Sequence, residues 1–171
     1  MDLTSLDDVH SKSLRRVFAF AHDLGLLLDH VVFQDAVVDV DAAEFPRGVR
    51  GPEYAWANAV RLQSALAQVG VLYRHHIDLA PTTELRHVQY AEDARRGVGK
   101  RSRVALAPEY RARYEREILD HADLPALLRE LPAQGAAALL CVERDPEACH
   151  RSLIASRLAH CHGMAVTHLR P

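Results

Sequence analysis

The chain has 171 residues, 49% hydrophobic and 26% charged. That fits one compact domain, able to bury about 70% of the surface its unfolded chain exposes, and excludes a disordered or fibrous chain. The net charge of −2 hides an uneven spread: residues 1–46 carry three basic and nine acidic groups (−6), and residues 86–116 carry nine and four (+5). Near-neutrality therefore does not exclude an anionic ligand.

The elements follow in chain order. Leu14, Val17, Phe18, Ala21 and Leu24 recur at helical spacing, which predicts a helix over Ser13 to Leu28. Valine-rich runs predict strands at Val31 to Phe33 and Ala36 to Val40. A loop at Phe45 to Gly48 precedes a helix from Gly51-Pro52 to about Val69. Val71 to Tyr73 begins a strand, and Pro81 to Arg96 reads as a helix after a Thr-Thr start. Helices are expected over Pro108 to Leu119 and, capped by Asp123, over Leu124 to Leu131. The apolar run Ala136 to Val142 has strand length. Asp145-Pro146 reads as a cap and first position of a helix running to His162, followed by a strand at Ala165 to Leu169. Strands alternating with helices predict an α/β fold of three layers: a mostly parallel sheet flanked by helices on both faces, in a single domain spanning residues 1–171. Ligands of such sheets bind outside the carboxyl ends of the strands.

Three cysteines, Cys141, Cys149 and Cys161, are too few and odd in number for a secreted disulfide framework. No basic-plus-apolar leader pattern is seen, and the apolar stretch Leu24 to Leu28 is far short of the ~20 residues that span a bilayer. A cytoplasmic protein with no membrane partner is the expectation.

The segment from Cys141 to Arg151 crosses one strand-to-helix turn and holds the densest chemistry. Cys141 and Glu143 are two apart, so they share a strand face; Cys149 and His150 should open the next helix, with Ile154, Leu158 and Cys161 as its buried stripe. Three readings stand side by side. A thiol near a helix start and an imidazole can be a nucleophile, with Glu143 handling protons. Cys141, Cys149 and His150 can ligate a metal such as zinc or iron, although adjacent Cys149 and His150 match no standard finger spacing. The helix start and Arg151 can bind an anion. The bland alternative is that the cysteines are small core residues and His150 a hydrogen-bonded structural histidine.

Elsewhere, Arg47-Gly48-Val49-Arg50-Gly51 offers two guanidinium forks beside permissive glycines, which suits anion recognition or a solvated turn. Asp39 and Asp41 share one strand-end face, and His75 and His76 end another strand. Gly97-Val98-Gly99-Lys100 falls short of a Walker A loop, because Ala94 and Arg101 stand where glycine and Ser/Thr belong. Lys100, Arg101 and Arg103 make a basic knot suited to a polyanion or simply to water.

Cys141 through Ser152 resembles the signature of the domain of unknown function 488 (DUF 488) family. Tyr54, Ala55 and Asn58 after the arginine–glycine loop add to the likeness, as do Asp78 to Thr82 and Lys100 to Arg103, over about residues 37 to 171. The resemblance implies a compact cytoplasmic α/β domain. It departs at Asp41, where this branch of the family carries arginine, so an anion contact there is lost or passes to Arg47. The leading expectation is an enzyme of transferase or hydrolase type acting on a small anionic or nucleotide-like substrate. Cys149, His150, Glu143 and Cys141 would be catalytic; Arg47, Arg50, Arg151, Tyr54, Asp39 and His75 would bind substrate. The alternatives are a nucleic-acid-binding accessory domain or a metalloprotein ligating through Cys141, Cys149 and His150.

Overall fold

Three short strands pair side by side and all run the same way. In the computed structural model these are β1 (Leu28–Phe33), β2 (Leu72–His75) and β3 (Ala136–Leu140), in the order β2-β1-β3. The structure describes residues 28–33, 63–64, 66–67, 71–99, 102–131, 136–141, 143 and 145–169. The expected strand at Ala36 to Val40 lies outside these residues. So do Asp39, Arg47, Arg50 and Tyr54, and with them most of the expected Ser13 to Leu28 helix. Helical backbone at 63–64 and 66–67 falls within the helix expected to reach Val69, and Leu66 is buried.

The register is what positions a site. Phe33 is level with His75 on one side and Leu140 on the other, so all three strands end at one edge. β1 starts earlier than the sequence predicts: Leu28, expected to end a helix, pairs with Ala136, and a register irregularity follows before His30 meets Ala137. β3 is built from Ala-Ala-Ala-Leu-Leu, residues that favour helices in isolation, so strand pairing with β1 overrides local preference there. Neither flanking strand is covered along its whole length. Tyr73 is buried but Leu72 and Arg74 are exposed in β2, and Ala137 is exposed in β3.

Besides the helical backbone at 63–64 and 66–67, four α-helices stand among the described residues: α1 (Thr83–Arg96), α2 (Pro108–Tyr114), α3 (Leu124–Glu130) and α4 (Arg151–His162). Thr82 Oγ1 accepts the Leu85 N–H at 3.2 Å and caps α1, and Asp123 Oδ1 accepts the Ala126 N–H at 2.8 Å and caps α3. Gly97 closes α1 in the left-handed region with φ 66°, where a side chain would be strained. α2 runs on into a wide π turn, Glu115–Leu119, in which the Asp120 N–H reaches back to the Glu115 carbonyl at 2.9 Å. The core gathers Leu79, Leu85, Tyr110, Tyr114, Leu119, Leu124, Leu127, Leu153, Ile154 and Leu158.

The C-terminal third departs from expectation in three places. Asp145-Pro146 does not open α4. Pro146–Ala148 forms a separate 3-10 turn, Cys149 is extended (φ −130°, ψ 142°), and α4 begins only at Arg151. Residues 163–169 form no strand and are largely exposed. Cys161, expected in the core, is exposed. The buried stripe of α4 ends at Leu158, Gly163 turns the chain (φ 66°), and nothing in 163–169 returns to cover the last turn.

Candidate functional site

The site grows from the end of β3. Cys141 follows the last residue of the strand, and Glu143 lies two positions on, so the chain carries both past the common strand edge. The Cys141 thiol donates to Glu143 Oε2 at 2.7 Å. The chain then makes the 3-10 turn and brings Cys149 back to the same carboxylate, with Cys149 Sγ 3.8 Å from Glu143 Oε2. His150 Nδ1 lies 3.8 Å from Cys149 Sγ, and the Arg151 N–H donates to that sulfur at 3.5 Å. The Arg151 guanidinium donates to the Glu143 backbone carbonyl, which ties the start of α4 to the segment beyond β3. One donor atom each from Cys141, Cys149 and His150 can be chosen so that all lie within 4.8 Å of one another.

The break before α4 makes this convergence feasible. Neighbours within a continuous helix point about 100° apart, so adjacent Cys149 and His150 would diverge. An extended Cys149 ahead of His150 lets both side chains reach one centre.

The cluster is enclosed. Cys149 is 1% exposed, His150 4% and Cys141 5%, while Glu143 and Arg151 are half-buried and form its more open side. The His150 ring tilts against Tyr114 with centroids 5.5 Å apart, and Tyr114 stacks on Tyr110 at 6.0 Å. The Tyr114 hydroxyl donates to the Leu79 carbonyl at 2.5 Å, which pins this aromatic floor. Burial is the largest single influence on the Cys149 thiol and pushes it up. The hydrogen bond with Cys141, the charge and hydrogen bond of His150 and the Arg151 charge together outweigh it and hold the thiol well below its ordinary range. The Tyr110 hydroxyl is pushed up by burial first, then by the negative charges at Cys149, Glu143 and Cys141.

A second buried polar group adjoins the cluster. Asp93 Oδ2 accepts from Arg103 Nη2 at 2.6 Å, Gln89 Nε2 donates to Asp93 Oδ1 at 2.8 Å, and Gln89 Oε1 accepts the Ala107 N–H at 2.8 Å. Burial works against the Arg103 charge, but Asp93 outweighs it and the guanidinium is held above its usual range, with Glu143 contributing as well. Arg103, expected in a basic knot facing a polyanion or water, is instead 8% exposed and clamped on Asp93. Lys100 and Arg101 lie outside the described residues.

Of the expected site residues, the structure brings together Cys141, Glu143, Cys149, His150 and Arg151. His75 stands at the same strand edge but on β2, across β1 from Leu140 and so roughly 10 Å away at ordinary strand spacing. The sequence does not single out Tyr110, Tyr114, Gln89 or Asp93, and it marks Arg103 only as part of the basic knot. The spacing of Tyr110 and Tyr114, one helical turn apart, is the signal that could have flagged the floor; the Asp93–Arg103 pairing leaves no local pattern.

Among the described residues, no helix is long and apolar enough to cross a membrane. A family model described as "Domain of unknown function DUF488" matches residues 36–158. The match takes in the whole Cys141 to Arg151 segment and stops at Leu158, short of the chain end that the sequence likeness suggests. Comparison with curated proteins and with solved structures gives no match.

Proposed function

The chain belongs to the DUF488 family, and on that footing we propose that it is an enzyme of transferase or hydrolase type whose Cys149 thiolate attacks a small anionic or nucleotide-like substrate at the carboxyl edge of the sheet. The observation that carries this reading is the convergence on one sulfur: His150 Nδ1 at 3.8 Å, the Arg151 N–H at 3.5 Å and the Cys141–Glu143 pair beside it. A thiolate held by an imidazole and an N–H at a helix start is the species nucleophilic catalysis needs.

In this scheme His150 and Cys141 stabilise the Cys149 thiolate. As the sulfur bonds to the substrate's electrophilic centre, the bond to the leaving group breaks. Glu143, on the more open side, passes the proton it shares with Cys141 to that group and takes one back from the water or acceptor that then releases the substrate group from sulfur. Arg151 orients the substrate's negative charge, helped by Arg47 and Arg50, with Tyr54, Asp39 and His75 completing substrate contact. The reading takes the chain as one domain with helices over both sheet faces. It works in the cytoplasm, where thiols stay reduced.

The test is alkylation of the reduced protein by iodoacetamide at neutral pH, followed site by site by mass spectrometry. Exposed Cys161 is the internal comparator. Cys149 should react faster than Cys161 despite its burial, and the Cys149→Ser variant should lose the fast phase. If no cysteine outpaces Cys161, the nucleophile reading falls.

A further inference from the structure

We propose that Cys141, Cys149 and His150, completed by Glu143, bind a thiophilic divalent cation of the zinc class, and that the ion-loaded form masks the Cys149 sulfur. The inference goes beyond the thiolate reading. It requires the cluster to assemble, and holds whether or not Cys149 is a nucleophile.

The geometry is the first argument. A tetrahedral zinc ion holds sulfur at about 2.3 Å and nitrogen at about 2.0–2.1 Å, which sets neighbouring donors roughly 3.5–3.8 Å apart. Cys149 Sγ stands 3.8 Å from His150 Nδ1 and 3.8 Å from Glu143 Oε2, so two edges of such a tetrahedron are already close to length. Donors of the cysteine–cysteine–histidine trio lie within 4.8 Å of one another, so small side-chain shifts close the remaining edges. Cys141 Sγ to Glu143 Oε2, at 2.7 Å, is too short for two ligands of a common ion. That contact is bridged by the thiol proton. Replacing the proton with a cation between sulfur and carboxylate opens it without breaking the association.

The donor set is the second argument. Two thiolates, an imidazole and a carboxylate suit zinc, whereas magnesium and calcium prefer oxygen alone. The surroundings match a metal site as well. The Arg151 N–H donates to Cys149 Sγ, and the Tyr114 ring packs against His150, so two of the ligands are oriented from behind. Burial of Cys141, Cys149 and His150 keeps competing water away, while the half-buried fourth ligand, Glu143, and Arg151 mark the approach.

The objection from spacing dissolves in the structure. Adjacent cysteine and histidine ligands fit no standard finger because fingers place ligands on regular turns and helices. Here the extended Cys149, set between a 3-10 turn and α4, turns adjacent positions into converging ones.

The experiment is a zinc titration of the reduced, full-length protein without a histidine tag, against a chromogenic chelator, with Cys149 alkylation followed in parallel. About one equivalent should bind, and zinc should slow Cys149 alkylation at least about tenfold. Cys141→Ser and His150→Ala should each weaken binding by about 100-fold, Glu143→Gln by about 10-fold, and Cys161→Ser not at all. Binding below about a tenth of an equivalent overturns the proposal, as does binding that both Cys141→Ser and His150→Ala leave intact. If Cys141→Ser does not fold, zinc protection of Cys149 in the unaltered chain decides alone: protection supports the site and its absence overturns it. The two readings separate cleanly. Fast alkylation without zinc binding overturns the ion site and keeps the nucleophile; zinc binding with sluggish alkylation of the zinc-free protein keeps the ion site and overturns the nucleophile.

Discussion

Two buried polar clusters lie close together in this protein, and they solve burial differently. In the Gln89–Asp93–Arg103 group, hard charged or amide atoms meet at 2.6 to 3.1 Å and form a closed exchange of hydrogen bonds. In the Cys141–Glu143–Cys149–His150 group, the Cys149 sulfur contacts its neighbours at 3.5 to 3.8 Å. Short, bidentate bonds fix a loop to a helix and use the charges up. Long contacts to polarizable sulfur orient it while leaving its lone pairs available for a reagent or an ion. The first cluster therefore reads as scaffold and the second as chemistry, although Cys141, Cys149 and His150 are as deeply buried as Gln89, Asp93 and Arg103.

That contrast can be broken by mutation. Arg103→Ala leaves the Asp93 carboxylate buried without its cation, and should cost about 3–5 kcal/mol in urea unfolding. The expected signature is a lower midpoint with an unchanged slope; an unchanged midpoint would mean that the clamp is not structural.

The next effect concerns the pH dependence of the second cluster. A thiol held below its ordinary range keeps its thiolate to lower pH than a free thiol, so Cys149 alkylation in metal-free buffer should fall away less steeply than a free thiol's as pH drops from 9. A rate that rises about tenfold per pH unit up to the free-thiol value near 8.5 would contradict the depressed thiol. The stabilising contribution of that thiolate is complete above the unfolded thiol's value and is lost as pH falls through the folded one.

The smallest effect tests the aromatic floor against His150. Tyr114→Phe removes the hydroxyl that donates to the Leu79 carbonyl. It should cost about 1–2 kcal/mol by thermal or urea unfolding while sparing the ring against His150. A loss of that size together with unchanged Cys149 alkylation would mark the hydroxyl as support for the fold alone.

The clusters also differ in how far they were legible in the sequence. Cys141, Glu143, Cys149, His150 and Arg151 sit within eleven residues, and a strand followed by a cap-like Asp145-Pro146 predicts that they meet. They do meet, by a route the pattern does not disclose. Proline at a first helical position and proline opening a 3-10 turn look alike in sequence, and only the extended backbone at Cys149 tells them apart. Arg103 and Asp93 lie ten positions apart on either side of a glycine-containing loop. A run of basic residues there carries no local mark of burial, because burial comes from α1 and the segment after it closing together. Cys161 fails for the opposite reason. Its helical spacing is right, but periodicity gives the direction of a side chain and says nothing of whether any part of the chain stands opposite.

The π turn after Tyr114 bears on how the helix from Pro108 to Leu119 serves two masters. A regular helix advances about 100° per residue, so its far end inherits the phase of its near end. The wide turn over Glu115–Leu119, with its carbonyl reaching five residues ahead, accommodates an extra residue and resets that phase. Tyr110 and Tyr114 can thus be clocked toward His150 and Leu79, while Leu119 is clocked separately into the core. The helix works as two coupled gears rather than one rod, so a change of length at 115–119 alters the site and the core relative to each other where a change of side chain would not.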